Sequence, residues 1–505
     1  MKTFHTEVLI IGAGPGGLQL AERLQRAKVP ALVVDAADRP GSFFRRYPRH
    51  RRLISVNKPN VDERFDNPMR FDWNSLLCDD PEFRFTRYSS EYFPDADDMV
   101  WYLADFARRC GLTVRYGTRV LAVEEAPDGY TVTIEDGPPL TARRVVVASG
   151  MAPYLPAIPG IEHAERYADF RTDPDGFQGA RVLIIGKGNS GFEIAASLTP
   201  TAATIHLVSP SPVRLAWNTH YVGHLRAVNN EALDGYQLKI GAAALDAEVV
   251  EIRRDGGGFQ VDLAYTHAAG HRVTYRYDRV IAATGFRFDP TPLAPLRPQL
   301  CRGGRFPEMT ADYRCPTSPG LYYAGNVTHA RDYRKTSSGF IHGFRYNASF
   351  LAKVLAYGQP PADAKVAPDP ATLAETVLRR LNHSDALYLQ PGYLADVYVA
   401  NGVLAHHAAV PLDWVREGGA GQGWRAAVTL EYGPPAPDPL RVDRSSDPSY
   451  ATATPFLHPV VRILRGDHVI DRLDLLEDLE NRYSADEWLP PLQSFFQTAL
   501  DHTQP

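Results

Sequence analysis

The sequence predicts an α/β chain in which one strand–helix–strand unit is interrupted by a second of the same kind, with a mixed region after them. Three observations carry this. The apolar run "EVLII" at 7–11 breaks into "GAGPGG", continues as the helically spaced "LQLAERLQRA", and is followed by a second apolar run, "ALVVDAA". The same order recurs as "RVLIIG" at 181–186, "KGNSG", "FEIAASL" and "TIHLVS" at 204–209. Each unit leads into short strands that close on a small-residue turn, "VVVASG" at 145–150 and "VIAATG" at 280–285, read as the exit from the first fold and the return into it. The expected fold class is therefore α/β: two Rossmann-like three-layer dinucleotide-binding domains, the second inserted in the first, plus a C-terminal α+β extension. The expected boundaries are 1–155 and 283–358 for the split first domain, 156–282 for the insert and 359–505 for the extension.

In the first unit, Gly12 permits the tight turn out of the strand, Gly14 lets a pyrophosphate approach the backbone, and Gly17 allows close helix–strand packing. Pro15 and Gly16 stand at the helix start, where free amides and the positive dipole end face phosphate. Asp35 closes the second strand, placed to accept hydrogen bonds from an adenosine ribose. The second unit repeats the device with Gly186, Lys187, Gly188, Asn189, Ser190 and Gly191, but its second strand ends in Ser209, with Arg214 shortly after. Hydroxyl and guanidinium groups there suit a 2′-phosphate, so NADPH is expected over NADH. A flavin in one fold and a nicotinamide in the other would let hydride pass between them.

Between the units, a helix is expected over 96–110, and after "GLYYAGN" at 320–326 another over 337–357, ending at Gly358. The stretch "GQPPADAKVAPDPA", 358–371, reads as a linker.

Composition bounds the partners. The chain of 505 residues has 44% hydrophobic and 22% charged residues and a net charge of -5, which argues against nucleic-acid binding. The arginine-rich "GSFFRRYPRHRRLISVNKPN" at 41–60 is thus a local feature. Cys78, Cys110, Cys301 and Cys315 show no metal-ligand spacing, and the sequence opens on a strand without a secretory or membrane-spanning pattern. A cytoplasmic protein without metal or membrane partners is expected, its oligomeric state open and a homodimer among the options.

These residues resemble the flavin-containing monooxygenase superfamily, in its "GAGPGG" start, "GKGNSG" insert and "ATGF" return. The resemblance extends to Gly41-Ser42-Phe43, Tyr47-Pro48 and Ser55-Val56-Asn57-Lys58-Pro59. It implies that Ser42 and Phe43 contact FAD, that Asn57 lies beside flavin C4a, and that the arginines around it face FAD phosphates, NADP or an anionic substrate. "GLYYAGN" is similar to the late flavin-binding segment, implying contacts from Gly325 and Asn326, and the amides near Ser338 and Gly339 would face the flavin N1 and C2 carbonyl. The strings "DWNSLL", "YFPDADDMVWYLADFA", "GFIHGFRY" and "FLHPV" look most like the family of the ER flavoprotein associated with degradation and its soluble microbial relatives. The "FxGxxxH" fingerprint of well-known flavin monooxygenases is absent, with His163 a loose substitute.

The resemblance implies an FAD- and NADPH-dependent monooxygenase that oxidises nitrogen, sulfur or carbon of a small, anionic or amino-acid-like molecule with dioxygen, through a C4a-hydroperoxyflavin. Lys58 and Arg334 are the expected substrate contacts, with His329, Arg331, Asp332 and Lys335 nearby. His342 reads as packed and hydrogen-bonded, and Trp73 as either pocket lining or core. The alternatives are an NAD(P)H oxidase or dehydrogenase without oxygen insertion, and a flavoprotein acting mainly through partner proteins. Disulfide reductase chemistry lacks a cysteine pair near residues 40–60.

Overall fold

The structure, a computed structural model, describes residues 4–501. Three large sheets organise it. In the first, Phe4–Ile11 pairs in parallel with Ala31–Val34 on one side and Leu140–Val147 on the other. Ser318–Tyr323, from beyond the insert, then adds in parallel to Leu140–Val147, matching Leu321 with Val145 and Tyr323 with Val147. The second sheet has seven strands built around Arg181–Ile185, flanked in parallel by Thr204–Ser209 and Arg279–Ala282. The centres of both strands, residues 8–10 and 182–185, are apolar and buried on both faces, as helix-covered parallel strands must be.

Helices follow from the same local rules. Pro15–Arg26 starts at Gly14 with proline in its first turn and buries Leu18, Leu20 and Leu24. The helix expected over 96–110 is Ala96–Arg109, capped by Asp95, which accepts from the Asp97 amide.

The helix expected from residue 337 begins only at Ile341 and runs to Tyr357. Side chains hold the amides before it in a turn instead: Ser338 N donates to Asp332 Oδ2 at 3.0 Å and Ser337 N to Gln390 Oε1 at 3.0 Å. Gly343 is required beneath that turn, since a Cβ there would lie 1.9 Å from the Ser337 carbonyl oxygen.

The stretch expected to be a linker contains an edge strand, Ala364–Val366, paired antiparallel with Val403–Pro411. It opens the third sheet, six antiparallel strands covered by helices Pro370–His383 and Ala485–Asp501. Lys365 at its centre suits an edge, where one row of amides needs no partner, and the prolines of the stretch fall outside the strand. This region is joined to the first half by polar contacts: the buried Tyr313 and Tyr393 hydroxyls meet at 2.9 Å, and nearer the surface Arg331 bridges Asp413 and Glu417 at 3.0 and 2.8 Å. No helix among the described residues is long and apolar enough to cross a membrane.

Arg345, fully buried in helix Ile341–Tyr357, donates to the carbonyls of Ser75 at 2.7 Å and Met69 at 3.2 Å and to the Tyr346 hydroxyl at 2.8 Å. It thereby seats the 69–75 segment on the helix. Arg345→Leu strands these acceptors and is expected to lower unfolding free energy by roughly 3 kcal/mol, read from urea denaturation.

Candidate functional site

A cleft of about 540 Å³ opens at the C-terminal edge of the first sheet, lined by Gly12, Gly14, Pro15, Gly16, Asp35, Ser42, Phe43, Gly325 and Asn326. Gly12 has φ +116°, and a Cβ on it would lie 2.5 Å from the Ala148 carbonyl oxygen. Gly14 faces open space, whereas Gly17 packs inward, its notional Cβ 2.0 Å from the Gly12 carbonyl oxygen. Gly16 meets the far half of the split fold, since a Cβ there would sit 2.4 Å from Gly325 Cα. The Asp35 carboxylate accepts from the amides of Ala13 at 2.6 Å and Ala37 at 2.8 Å, which fixes it at the cleft edge.

A second cleft, about 720 Å³, lies against the second sheet and is lined by Gly186, Lys187, Gly188, Ser209, Arg214 and Arg334 among others. Gly186 repeats the first turn, with φ +123° and a notional Cβ 2.2 Å from the Ala283 carbonyl oxygen. Gly191 packs on Gly186 as Gly17 does on Gly12, at 2.3 Å. The Lys187 side chain is buried in an ion pair with Asp246. Asn189 braces the wall: its Nδ2 donates to the His224 carbonyl at 2.9 Å and its Oδ1 accepts from the Arg226 amide at 2.9 Å. Arg214 is exposed at the rim, and Glu248 is the carboxylate that lines the same cleft.

Between the clefts lies a cavity of about 460 Å³ that shares Phe43, Asn326, Gly339 and Phe340 with the first and Gly188, Tyr221 and His329 with the second. Ser190 lines it too. Its wall is largely aromatic: Trp73 stacks on His342 at 4.6 Å, and the Arg226 guanidinium lies 5.3 Å from the Trp73 ring centroid. Burial lowers the His342 pKa to about 3, so this imidazole is neutral. Trp73 thus lines the pocket, and His342 is packed as expected.

Three expectations are corrected. Asn57 is buried and spends its amide on the carbonyls of Ser89 at 2.7 Å and Glu91 at 3.1 Å, outside the lining of all three spaces. The asparagine in the cleft wall is Asn74, on the "DWNSLL" segment. Lys58 is exposed and lines none of them, while Arg334 lies in the second cleft, away from the central cavity. Ser338 is fully buried, accepting from Asn347 Nδ2 at 2.9 Å and Gln390 Nε2 at 3.1 Å, and it is Gly339 and Phe340 that reach the cleft.

The arginine loop also differs from expectation. Arg45 pairs with Asp38, Arg46 with Asp169 and Arg51 with Asp97, and Arg49 donates to the Phe170 carbonyl at 3.1 Å. Of the group, Arg52 alone lines the cavity. The loop is a seam between the two folds because carboxylates and carbonyls of the insert stand within reach of it. Tyr221 and Arg226, which line the cavity, lie in an irregular segment whose sequence offers no motif.

Residues 9–325 match the family model described as pyridine nucleotide-disulphide oxidoreductase. The chain is 36% identical, over 91% of its length and 76% of the relative's, to FAD-dependent oxidoreductase domain-containing protein 2 of Mus musculus. It is 29% identical to the indole-3-pyruvate monooxygenase YUCCA1 of Oryza sativa subsp. japonica, over 42% of this chain and 50% of that protein. Among solved structures, a flavin-containing monooxygenase from Stenotrophomonas maltophilia superposes over 70% of this chain and 98% of its own, with a TM-score of 0.53 and 21% identity. With two glycine cradles opening onto one cavity, the chain belongs to the pyridine nucleotide-disulphide oxidoreductase family, as a flavin oxidoreductase related to FAD-dependent oxidoreductase domain-containing protein 2.

Proposed function

We propose that the protein is an FAD-dependent, NADPH-using monooxygenase that oxygenates nitrogen, sulfur or carbon of a small molecule held in the central cavity. The observation that carries this reading is the continuity of the three spaces: a cradle on each sheet, and an aromatic cavity sharing walls with both.

The first cleft fits FAD. Gly12, Gly14 and Gly16 clear the backbone for a pyrophosphate at the start of helix Pro15–Arg26, and Asp35 stands ready for the ribose. Asn74 Oδ1 and Asn326 Oδ1, both on residues lining this cleft, are buried without a hydrogen-bond partner in the protein, which suits a ligand that donates to them. When bound, the flavin would supply hydride acceptance and oxygen activation. The chain's own part is to hold it between Phe43, Asn326 and Gly339, and to keep water from the cavity with Trp73, Phe340 and Tyr47. In the second cleft, Ser209 and Arg214 would receive a 2′-phosphate, and Arg334 joins them there as a nucleotide contact.

None of Cys78, Cys110, Cys301 and Cys315 lines these spaces, which favours oxygen chemistry over thiol exchange. Free cysteines accord with a cytoplasmic setting. Dioxygen and a small molecule are the partners this reading requires.

The reading is tested by rapid mixing: the FAD-loaded protein is reduced anaerobically with NADPH and then mixed with dioxygen. An absorbing transient before full reoxidation is expected, and its absence under all conditions overturns oxygen insertion in favour of an oxidase. Arg214→Ala is expected to raise KM for NADPH roughly tenfold while leaving NADH unchanged. Gly16→Ala, which drives a methyl into Gly325, is expected to weaken FAD retention by roughly tenfold or more, read from visible absorbance after gel filtration.

A further inference from the structure

Tyr221, His329 and Asp332 form a chain of hydrogen bonds in the wall shared by the second cleft and the central cavity. His329 and Asp332 are almost fully buried. His329 Nδ1 lies 2.8 Å from Asp332 Oδ1, and His329 Nε2 lies 2.8 Å from the Tyr221 hydroxyl. The backbone N–H of Arg334 also donates to Nε2, at 3.2 Å. A nitrogen receiving an amide proton carries none itself, so the imidazole is the Nδ1–H tautomer, donating to Asp332, and the Tyr221 O–H donates to Nε2. The two rings stack at 5.4 Å, within 5° of parallel. Asp332 is held in turn by the Ser338 amide, in the turn that leads to Gly339 and Phe340 in the first cleft. A Cβ on Gly339 would come within 3.2 Å of the His329 ring, so the segment lining the first cleft passes directly over it.

We propose that this trio is a proton relay into the central cavity, with the Tyr221 hydroxyl as the group that hands the proton to oxygen being reduced there and His329–Asp332 as the residues that recharge it. The inference rests on the oxidoreductase reading above. Its chemical need is fixed by stoichiometry, whatever the substrate S: NADPH + H+ + O2 gives NADP+ and H2O2, and NADPH + H+ + O2 + S gives NADP+, SO and H2O. Either way, one proton per turnover must enter the cavity from water. In the relay, a solvent proton arriving from the open second cleft binds His329 Nε2, and the imidazolium is stabilised by Asp332. Nε2–H then donates to the Tyr221 oxygen as the phenolic proton leaves for the reduced oxygen. The end state is a neutral imidazole accepting from Tyr221, the arrangement the structure displays.

The surroundings agree. Burial, with Asp332 next, raises the Tyr221 pKa above its ordinary value, so the phenol gives up its proton only as His329 Nε2–H replaces it in the same step. The charged and titratable groups facing the pair are Arg305, Arg334, Tyr333 and His224. His224 has its pKa lowered to about 4 by burial and by Arg334 and Arg214, which leaves His329 as the imidazole with a carboxylate behind it.

Two measurements test the relay. In protein labelled with 15N-histidine, with or without FAD, one imidazole is expected to be the Nδ1–H tautomer with a hydrogen-bonded Nε2; it disappears in His329→Gln, and its Nε2 resonance shifts in Tyr221→Phe. An Nε2–H tautomer for His329 overturns the assignment. Separately, FAD-loaded protein reduced with dithionite, so that nicotinamide plays no part, is mixed with dioxygen in H2O and D2O. Reoxidation is expected to show a solvent isotope effect in the wild type and to slow by roughly 100-fold in Tyr221→Phe with loss of that effect. A wild-type isotope effect of one, or a Tyr221→Phe protein that reoxidises at the wild-type rate, overturns the relay while leaving the monooxygenase reading standing. Failure to take up FAD overturns both.

Discussion

The arrangement depends on one pairing: Ser318–Tyr323 must return to Leu140–Val147 after the insert has folded. Its register, Leu321 to Val145 and Tyr323 to Val147, delivers Gly325 against Gly16 and Asn326 to the cleft floor. A one-residue slip would turn every side chain of that strand to the opposite face. Because the strand is buried on both sides, such a slip is costly, and the two halves of the split fold find a single alignment. The cleft is therefore assembled by long-range pairing, although each of its glycines is placed by a local turn.

From that strand the chain passes straight into residues 325–340, which form walls of all three spaces. After the 3-10 turn Gly325–Ala330 the segment stays out of α-helix until Ile341, because Asp332 and Gln390 hold the amides of Ser338 and Ser337. Gln390 caps the short helix Asp385–Leu389 of the C-terminal region, so that region helps set the shape of a wall it does not itself line. Buried polar groups of this kind tolerate little change, since each has its partners assigned and water cannot substitute for them.

The parts legible in sequence were those governed by local geometry. The glycine turns, Asp35 and the helix expected over 96–110 each follow from a few adjacent residues, and they stand where the spacing put them. Asn57 shows the limit. A loop asparagine satisfies whichever carbonyls lie closest, and here those belong to Ser89 and Glu91, more than thirty positions away and invisible to any local pattern. The same limit hid Tyr221, which gains meaning only because an unrelated turn carries His329 to it. The arginine loop was legible as a local basic feature but not as a seam, since its partners Asp169 and Phe170 lie across the insert boundary.

That seam bears on how the two folds move. Its exposed ion pairs count for little in water. The rings do more: Tyr47 stacks on Tyr167 at 5.7 Å and meets Phe286 edge-on at 5.2 Å, while the Arg49 amide donates to the Tyr167 hydroxyl at 3.2 Å. An aromatic clasp at this place resists swivelling of one lobe against the other. The two glycine cradles would then keep one fixed spacing across the cavity whose walls they share, set by these rings and not by a hinge.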